Sequence, residues 1–111
     1  MMDFPTEFLV GDWRIEADRN LLIGPEGEQI RLPPKTIDVL RLLVHRQGQV
    51  VGREDILRYV WQSGGGDDSL NNAISSLRIA FGDNRKKSRY IETVPKRGYR
   101  LAAPVQLVSM D

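Results

Sequence analysis

The sequence predicts one α+β domain: an N-terminal four-stranded antiparallel sheet, three helices, and a C-terminal β-hairpin. Three observations predict it. Residues 8–32 alternate apolar and polar side chains between strong turn signals. Residues 33–81 carry three apolar stripes at helical spacing, and residues 90–102 place two β-rich runs around Pro95-Lys96-Arg97-Gly98. A chain of 111 residues, 41% apolar and 28% charged, can bury one core and is too short for two.

The strands come first. Phe8-Leu9-Val10 opens the sheet, and Trp13-Arg14-Ile15-Glu16-Ala17 follows with Trp13, Ile15 and Ala17 on one side. Asp18-Arg19-Asn20 is a turn, Leu21-Leu22-Ile23 a third strand, and Gly24-Pro25-Glu26-Gly27 a second turn. Gln29-Ile30-Arg31-Leu32 is the fourth strand. Residues 1–7 are expected to be a flexible N-terminal tail, residues 8–104 the folded domain, and residues 105–111 a C-terminal tail or the start of a linker.

Pro33-Pro34 suits the first turn of a helix, where proline's missing N–H costs nothing. Ile37, Leu40, Leu43 and Val44 share one face of that helix, which runs to about Arg46, and Gly48 stops it. A second helix begins near Gly52, with Glu54 and Asp55 favoured by its dipole and Ile56, Leu57, Val60 and Trp61 as its buried stripe. Gln62-Ser63-Gly64-Gly65-Gly66 is a connection. The third helix is expected to use Asp67 or Asp68 as its N-cap, to bury Leu70, Ala73, Ile74, Leu77 and Phe81, and to end at Gly82-Asp83-Asn84. Strands at 90–94 and 99–102 close the chain.

Composition excludes most chemistry. With no cysteine there is no disulfide, thiol nucleophile or thiolate metal site, and His45 is the only histidine. Apolar runs such as Leu42 to Val44 reach only three residues, too short for a membrane span or a signal-peptide core. Ser69, Ser75 and Ser76 have no base to activate them. Gly64-Gly65-Gly66 lacks the Lys-Ser/Thr of a phosphate loop, and Asp67-Asp68 lacks further metal ligands. The expectation is therefore no enzyme, no cofactor and no metal, in a domain suited to the reducing cytoplasm.

Charge is distributed unevenly. Residues 1–30 hold seven acids against two bases, net −5, whereas residues 85–111 hold seven bases against two acids, net +5. The bases are Arg85, Lys86, Lys87, Arg89, Lys96, Arg97 and Arg100. A polyanion bound toward the C-terminal end is the functional reading; a solvated surface hairpin is the bland one.

The third helix and the hairpin separate these readings. The solvent face of the helix is Ser69, Asn71, Asn72, Ser75, Ser76, Arg78 and Ile79. Ser and Asn weaken a helix, but they let it approach another surface closely and can pair with base edges. Pro95 and Gly98 make a tight turn that thrusts Lys96 and Arg97 outward, a shape suited to a narrow, negative minor groove. A mediocre surface helix and a protective basic sheet edge are the competing explanations. Taken together the two elements favour a groove-binding domain, with a protein–protein module using Ile79 and no DNA as the alternative.

The separated runs Leu32-Pro33-Pro34-Lys35, Gly48-Gln49-Val50-Val51, Arg53-Glu54, Val60-Trp61, Leu77-Arg78 and Tyr90 to Arg100 occur in an order that resembles the winged helix-turn-helix domain of OmpR/PhoB-type regulators. Ile91 to Arg100 most resembles the CadC/ToxR-like branch, whose members join such a cytoplasmic domain to a transmembrane helix and a periplasmic sensor. The resemblance spans roughly residues 8–104 and implies a bacterial-type transcriptional regulator that binds specific double-stranded DNA. It places the third helix in the major groove and the hairpin wing in the minor groove. By position it implies base reading by Ser69, Asn72 and Ser76, phosphate contacts by Trp61, Arg78, Thr93 and Tyr99, and a minor-groove role for Lys96 and Arg97.

It further implies RNA polymerase as a candidate partner through residues 62–66, and tandem or dimeric self-association on DNA. A membrane would be engaged only through other parts of a longer parent, anchored in the inner membrane. Two departures stand out. Neutral Ser and Asn occupy positions where response-regulator relatives often carry arginine, and the Gly-rich loop offers a polymerase little side-chain surface.

Overall fold

The computed structural model describes residues 4–62, 64–83 and 89–108. Four short strands, β1 (Glu7–Val10), β2 (Trp13–Glu16), β3 (Leu21–Ile23) and β4 (Gln29–Arg31), form the expected antiparallel meander. Alternation along β2 works as predicted: Trp13 and Ile15 are buried, and Arg14 is exposed. A 3-10 turn at Ala17–Arg19 replaces the simple turn between β2 and β3, and Asn20 takes the left-handed conformation after it.

The sheet has a fifth strand. Val105–Leu107 (β7) pairs antiparallel with β1, Phe8 opposite Leu107 and Val10 opposite Val105, giving the order β4-β3-β2-β1-β7. The segment expected to be a tail or linker is thus part of the domain through residue 107. All three β7 residues are exposed, so no apolar period marks them in the sequence. What holds them is the open hydrogen-bonding edge of β1, a backbone demand that any residue type can meet. Residues 4–6 are likewise tied down rather than a free tail: Arg41 donates to the carbonyls of Phe4 and Pro5, each at 2.9 Å, and Phe4 stacks on His45 at 4.4 Å.

Helix α1 (Pro34–His45) starts with proline at its first position, as predicted, and lies at the centre of the domain. It buries Thr36, Val39 and Leu42 as well as the expected Ile37, Leu40, Leu43 and Val44, because α2, α3, the C-terminal hairpin and the 3-10 turn all pack around it. Helix α2 (Arg53–Trp61) is held against it by Lys35, whose ammonium donates to the Val60 carbonyl at 2.8 Å and offsets the negative end of the helix. Helix α3 (Asp67–Phe81) buries the predicted stripe together with Ala80. Its N-cap is Gly66, not an aspartate: Asp67 is already helical, and its carboxylate is engaged by Arg53. At the other end Gly82, at φ 68°, donates to Ile79, and Asp83 donates to Arg78, closing the helix with a left-handed cap. The expected stop at Asn84 and the bases Arg85, Lys86 and Lys87 lie outside the described residues.

The wing is β5 (Ile91–Val94) paired with β6 (Gly98–Leu101), joined by the turn Pro95–Arg97. Val51 adds a rung on the other edge of β6: its N–H donates to the Tyr99 carbonyl at 2.8 Å and its carbonyl accepts from the Tyr99 N–H at 3.0 Å. Gly98 allows this approach. It sits at φ +146°, and any Cβ there would collide with the Val51 carbonyl oxygen. Asp83 caps the first wing strand by accepting the N–H groups of Arg89, Tyr90 and Ile91. Tyr90 stacks on Phe81, which meets Trp13 edge-on, so sheet, α3 and wing share one aromatic column.

Replacing Gly98 by Ala should therefore cost more than about 2 kcal/mol of stability, read by urea denaturation. Amide exchange at Val51 and Tyr99 should rise with it, since that rung is the contact the new Cβ would displace.

Candidate nucleic-acid interface

Helix α3 exposes what its buried stripe leaves over. At about 100° per residue, Asp68, Asn72, Ser75 and Ile79 fall within roughly 60° of arc opposite the core, and all four are exposed. Asn72 is thus on the crest of the helix. Ser69 and Ser76 lie on one flank and are half-buried, so of the three expected base readers the structure puts one at the crest and two beside it. Ser75, read from the sequence only as part of the solvent face, is more exposed than either.

Arg78 leaves the other flank and reaches the wing. Its guanidinium donates to the Ile91 carbonyl (2.9 Å from Nη2, 3.3 Å from Nε) and to Thr93 Oγ1 at 2.7 Å. Two of the expected phosphate binders are therefore in contact with each other, and their bond sets the distance from α3 to the first wing strand. Tyr99 is only 7% exposed. Its hydroxyl accepts from Arg53 Nη1 at 2.7 Å, with the guanidinium lying over its ring. Trp61, at the end of α2, is half-buried against the core, and the loop passes close: a Cβ on Gly65 would strike its ring. Lys96 and Arg97 are exposed at the wing tip, with Lys96 in the left-handed region at φ 65°.

Arg53 was not singled out by the sequence as a site residue. Besides Tyr99 it donates to Asp67 Oδ1 at 3.1 Å and to Asn71 Oδ1 at 3.0 Å, so one guanidinium joins the starts of α2 and α3 to the second wing strand. A cation in the first turn opposes the helix dipole. That anomaly, an arginine ahead of Glu54 and Asp55, is the signal that could have flagged it. Arg100 performs a similar task behind the wing, donating to the Gly48 carbonyl at 3.0 Å and pairing with Glu92.

The two connected elements form a convex helix crest with no basic side chain on it and, at a fixed offset, a protruding basic turn. A cleft of about 430 Å³ lies between the start of α2 and the wing, lined by Arg53, Glu54, Thr93, Lys96, Arg97 and Tyr99 among others. No group of three or more potential metal ligands occurs among the described residues. Replacing Arg53 by Ala should cost about 1–3 kcal/mol and speed amide exchange across β6. Replacement by Lys should recover less than half of the loss, because one ammonium cannot span three acceptors as the planar fork does.

Comparison with known proteins places this architecture. The family described as "Transcriptional regulatory protein, C terminal" matches residues 27–101. The chain is 37% identical across its full length to the cholera toxin transcriptional activator of Vibrio cholerae, and the match covers 40% of that protein. It is 38% identical, over 86% of its length, to the transcriptional activator CadC of Escherichia coli, covering 19% of it. The DNA-binding domain of E. coli CadC superposes with a TM-score of 0.80 at 33% identity, covering 95% of this chain and 99% of that one. The Klebsiella pneumoniae RstA DNA-binding domain, solved in complex with the RstA box, gives 0.72 at 27% identity, covering 86% and 96%. The chain spans less than half the length of both curated relatives. No helix of the described residues is long and apolar enough to cross a membrane. This chain belongs to the transcriptional-regulator C-terminal domain family, the OmpR/PhoB-type winged helix-turn-helix, and is similar to its CadC/ToxR-like members.

Proposed function

We propose that this chain is the DNA-reading domain of a transcriptional regulator, binding specific duplex sequences with α3 in the major groove and the wing in the adjacent minor groove. The observation that carries this is the pairing of a charge-poor, hydrogen-bonding helix crest with a basic wing tip, locked together by Arg78 and Arg53. The crest supplies specificity. Asn72 can pair with the N6 and N7 of adenine, and Ser69 and Ser76 can donate or accept beside it. Phosphate contacts supply register and salt-sensitive affinity. These are assigned to the Trp61 indole, Arg78, Thr93 and the Tyr99 hydroxyl, to which Arg53 is added as the cation lying over Tyr99. Lys96 and Arg97 sense minor-groove width.

The wider setting belongs to the same proposal. The relatives named as activators support a role in transcription activation, with RNA polymerase as a partner through residues 62–66. With Gly64, Gly65 and Gly66 in that loop, such a contact would rest on backbone and on Gln62 and Ser63. Binding as tandem or paired copies, and tethering of a longer parent at the inner membrane, complete the reading.

Selection from a random duplex pool at about 150 mM salt, where non-specific binding is weak, tests it: an enriched motif is expected, and none, from a folded domain, would overturn it. On the enriched duplex, log K should fall against log salt with a slope of about −4 to −5 if roughly five phosphates are neutralised. Asn72→Ala should lose about 1–3 kcal/mol at one base pair and relax preference there, whereas Arg97→Ala should weaken many sequences alike. Fluorescence anisotropy on the enriched duplex and its single-base variants separates the two patterns.

A further inference from the structure

Among the large apolar side chains exposed in the described residues, Ile79 stands apart. It is 81% exposed, against 58% for Leu107, the next. Single exposed apolar side chains are ordinary; the position of this one is not. It occupies the crest of α3, two turns beyond Asn72, on the ridge assigned above to the major groove. Folding does not favour it there. A β-branched residue is a poorer helix former than the Lys, Arg or Glu usual on such faces, and the exposed side chain buries nothing in the core.

The surroundings leave its tip bare. One turn before it are Ser75 and Ser76, both short. Three residues after it is Gly82, with open space around its Cα, and four after it is Asp83, whose carboxylate is turned to the N–H groups of Arg89, Tyr90 and Ile91. Arg78, the adjacent residue, is held toward Ile91 and Thr93 rather than across it. Ile79 is therefore the most projecting apolar group on a ridge otherwise made of short polar side chains. The major-groove edge of DNA presents one apolar substituent, the C5 methyl of thymine. An aliphatic tip matches that methyl and cannot satisfy the donors and acceptors around it.

We infer that Ile79 is a specificity-determining residue that reads a thymine methyl about three base steps from the pair contacted by Asn72, seven residues away at about 1.5 Å per residue. The inference rests on the DNA-reading function proposed above. The bases that flank the crest, Arg78 on the helix and Lys96 and Arg97 on the wing, favour a polyanion over an apolar protein partner on this ridge.

The test uses the duplex enriched by the full chain. Each thymine is replaced in turn by deoxyuridine, which removes only the methyl group, and affinity is measured by fluorescence anisotropy for wild type, Ile79→Ala and Asn72→Ala. Loss of one buried methyl contact corresponds to about four-fold in affinity. At one or two thymines the wild type should lose about that factor, Asn72→Ala should keep the loss, and Ile79→Ala should be indifferent to the replacement. The Ile79→Ala chain should fold normally, since alanine is the better helix former, and circular dichroism checks this. Wild-type indifference to every deoxyuridine would overturn the inference while leaving DNA reading intact. So would unchanged penalties in Ile79→Ala, and the ridge would then be open to a protein partner. Failure to enrich any duplex would overturn DNA reading first and this inference with it.

Discussion

The rung between Val51 and Tyr99 is the constraint on which the rest of the interface depends. Two backbone hydrogen bonds place the second wing strand beside the segment that leads into α2, and Gly98 makes the approach sterically possible. Once β6 is fixed there, the Tyr99 hydroxyl lies beneath Arg53, and the same guanidinium reaches the first turn of α3. β5 is then held to the far half of α3 by Arg78. The helix and the wing are thus connected at both ends of α3. A reader with two contact elements gains from this, because ordering them before binding removes an entropic cost of association.

The electrostatics follow the same division. At α3 it is Arg53 and Arg78 whose planar forks join several acceptors, and both ties are at least partly solvent-accessible. Pairs of this exposure contribute modestly to stability; their value lies in geometry. Lys96 and Arg97 carry exposed positive charge at the wing tip, where the turn projects it away from the core. Of the acids in residues 1–30, Glu7 and Glu16 lie on strands and pair with Arg14 and Arg19, while Asp12, Asp18, Glu26 and Glu28 lie between the strands. Of the bases in residues 85–111, Lys96, Arg97 and Arg100 lie on the wing.

Much of this was legible in the residues. Period-2 alternation at Trp13, Ile15 and Ala17, the proline start of α1, the buried stripe of α3 and the Pro95–Gly98 turn all reflect local rules that the fold respects. β7 was not legible, since a three-residue exposed strand carries no period and owes its place to the free edge of β1. The anchoring of Phe4 and Pro5 by Arg41 was hidden for a related reason: contacts across more than 35 residues leave no mark on local pattern. At the interface, Asn72 and the wing tip stood out by residue type and turn chemistry. Arg53 did not, because its role is defined by three partners from two other elements. Ile79 was noticed as a residue but not as the crest of the helix, which only the exposed ridge makes clear.

In the proposed function α3 and the wing act as one rigid reading head. An amide chemical-shift titration with the enriched duplex, and with a scrambled one, tests it most directly. Signals from Asn72, Ser75 and Ile79 and from Lys96 and Arg97 should shift together along one binding curve, and the scrambled duplex should move the wing signals while leaving the α3 crest nearly still. Shifts confined to the wing with the enriched duplex, or separate curves for helix and wing, would contradict it.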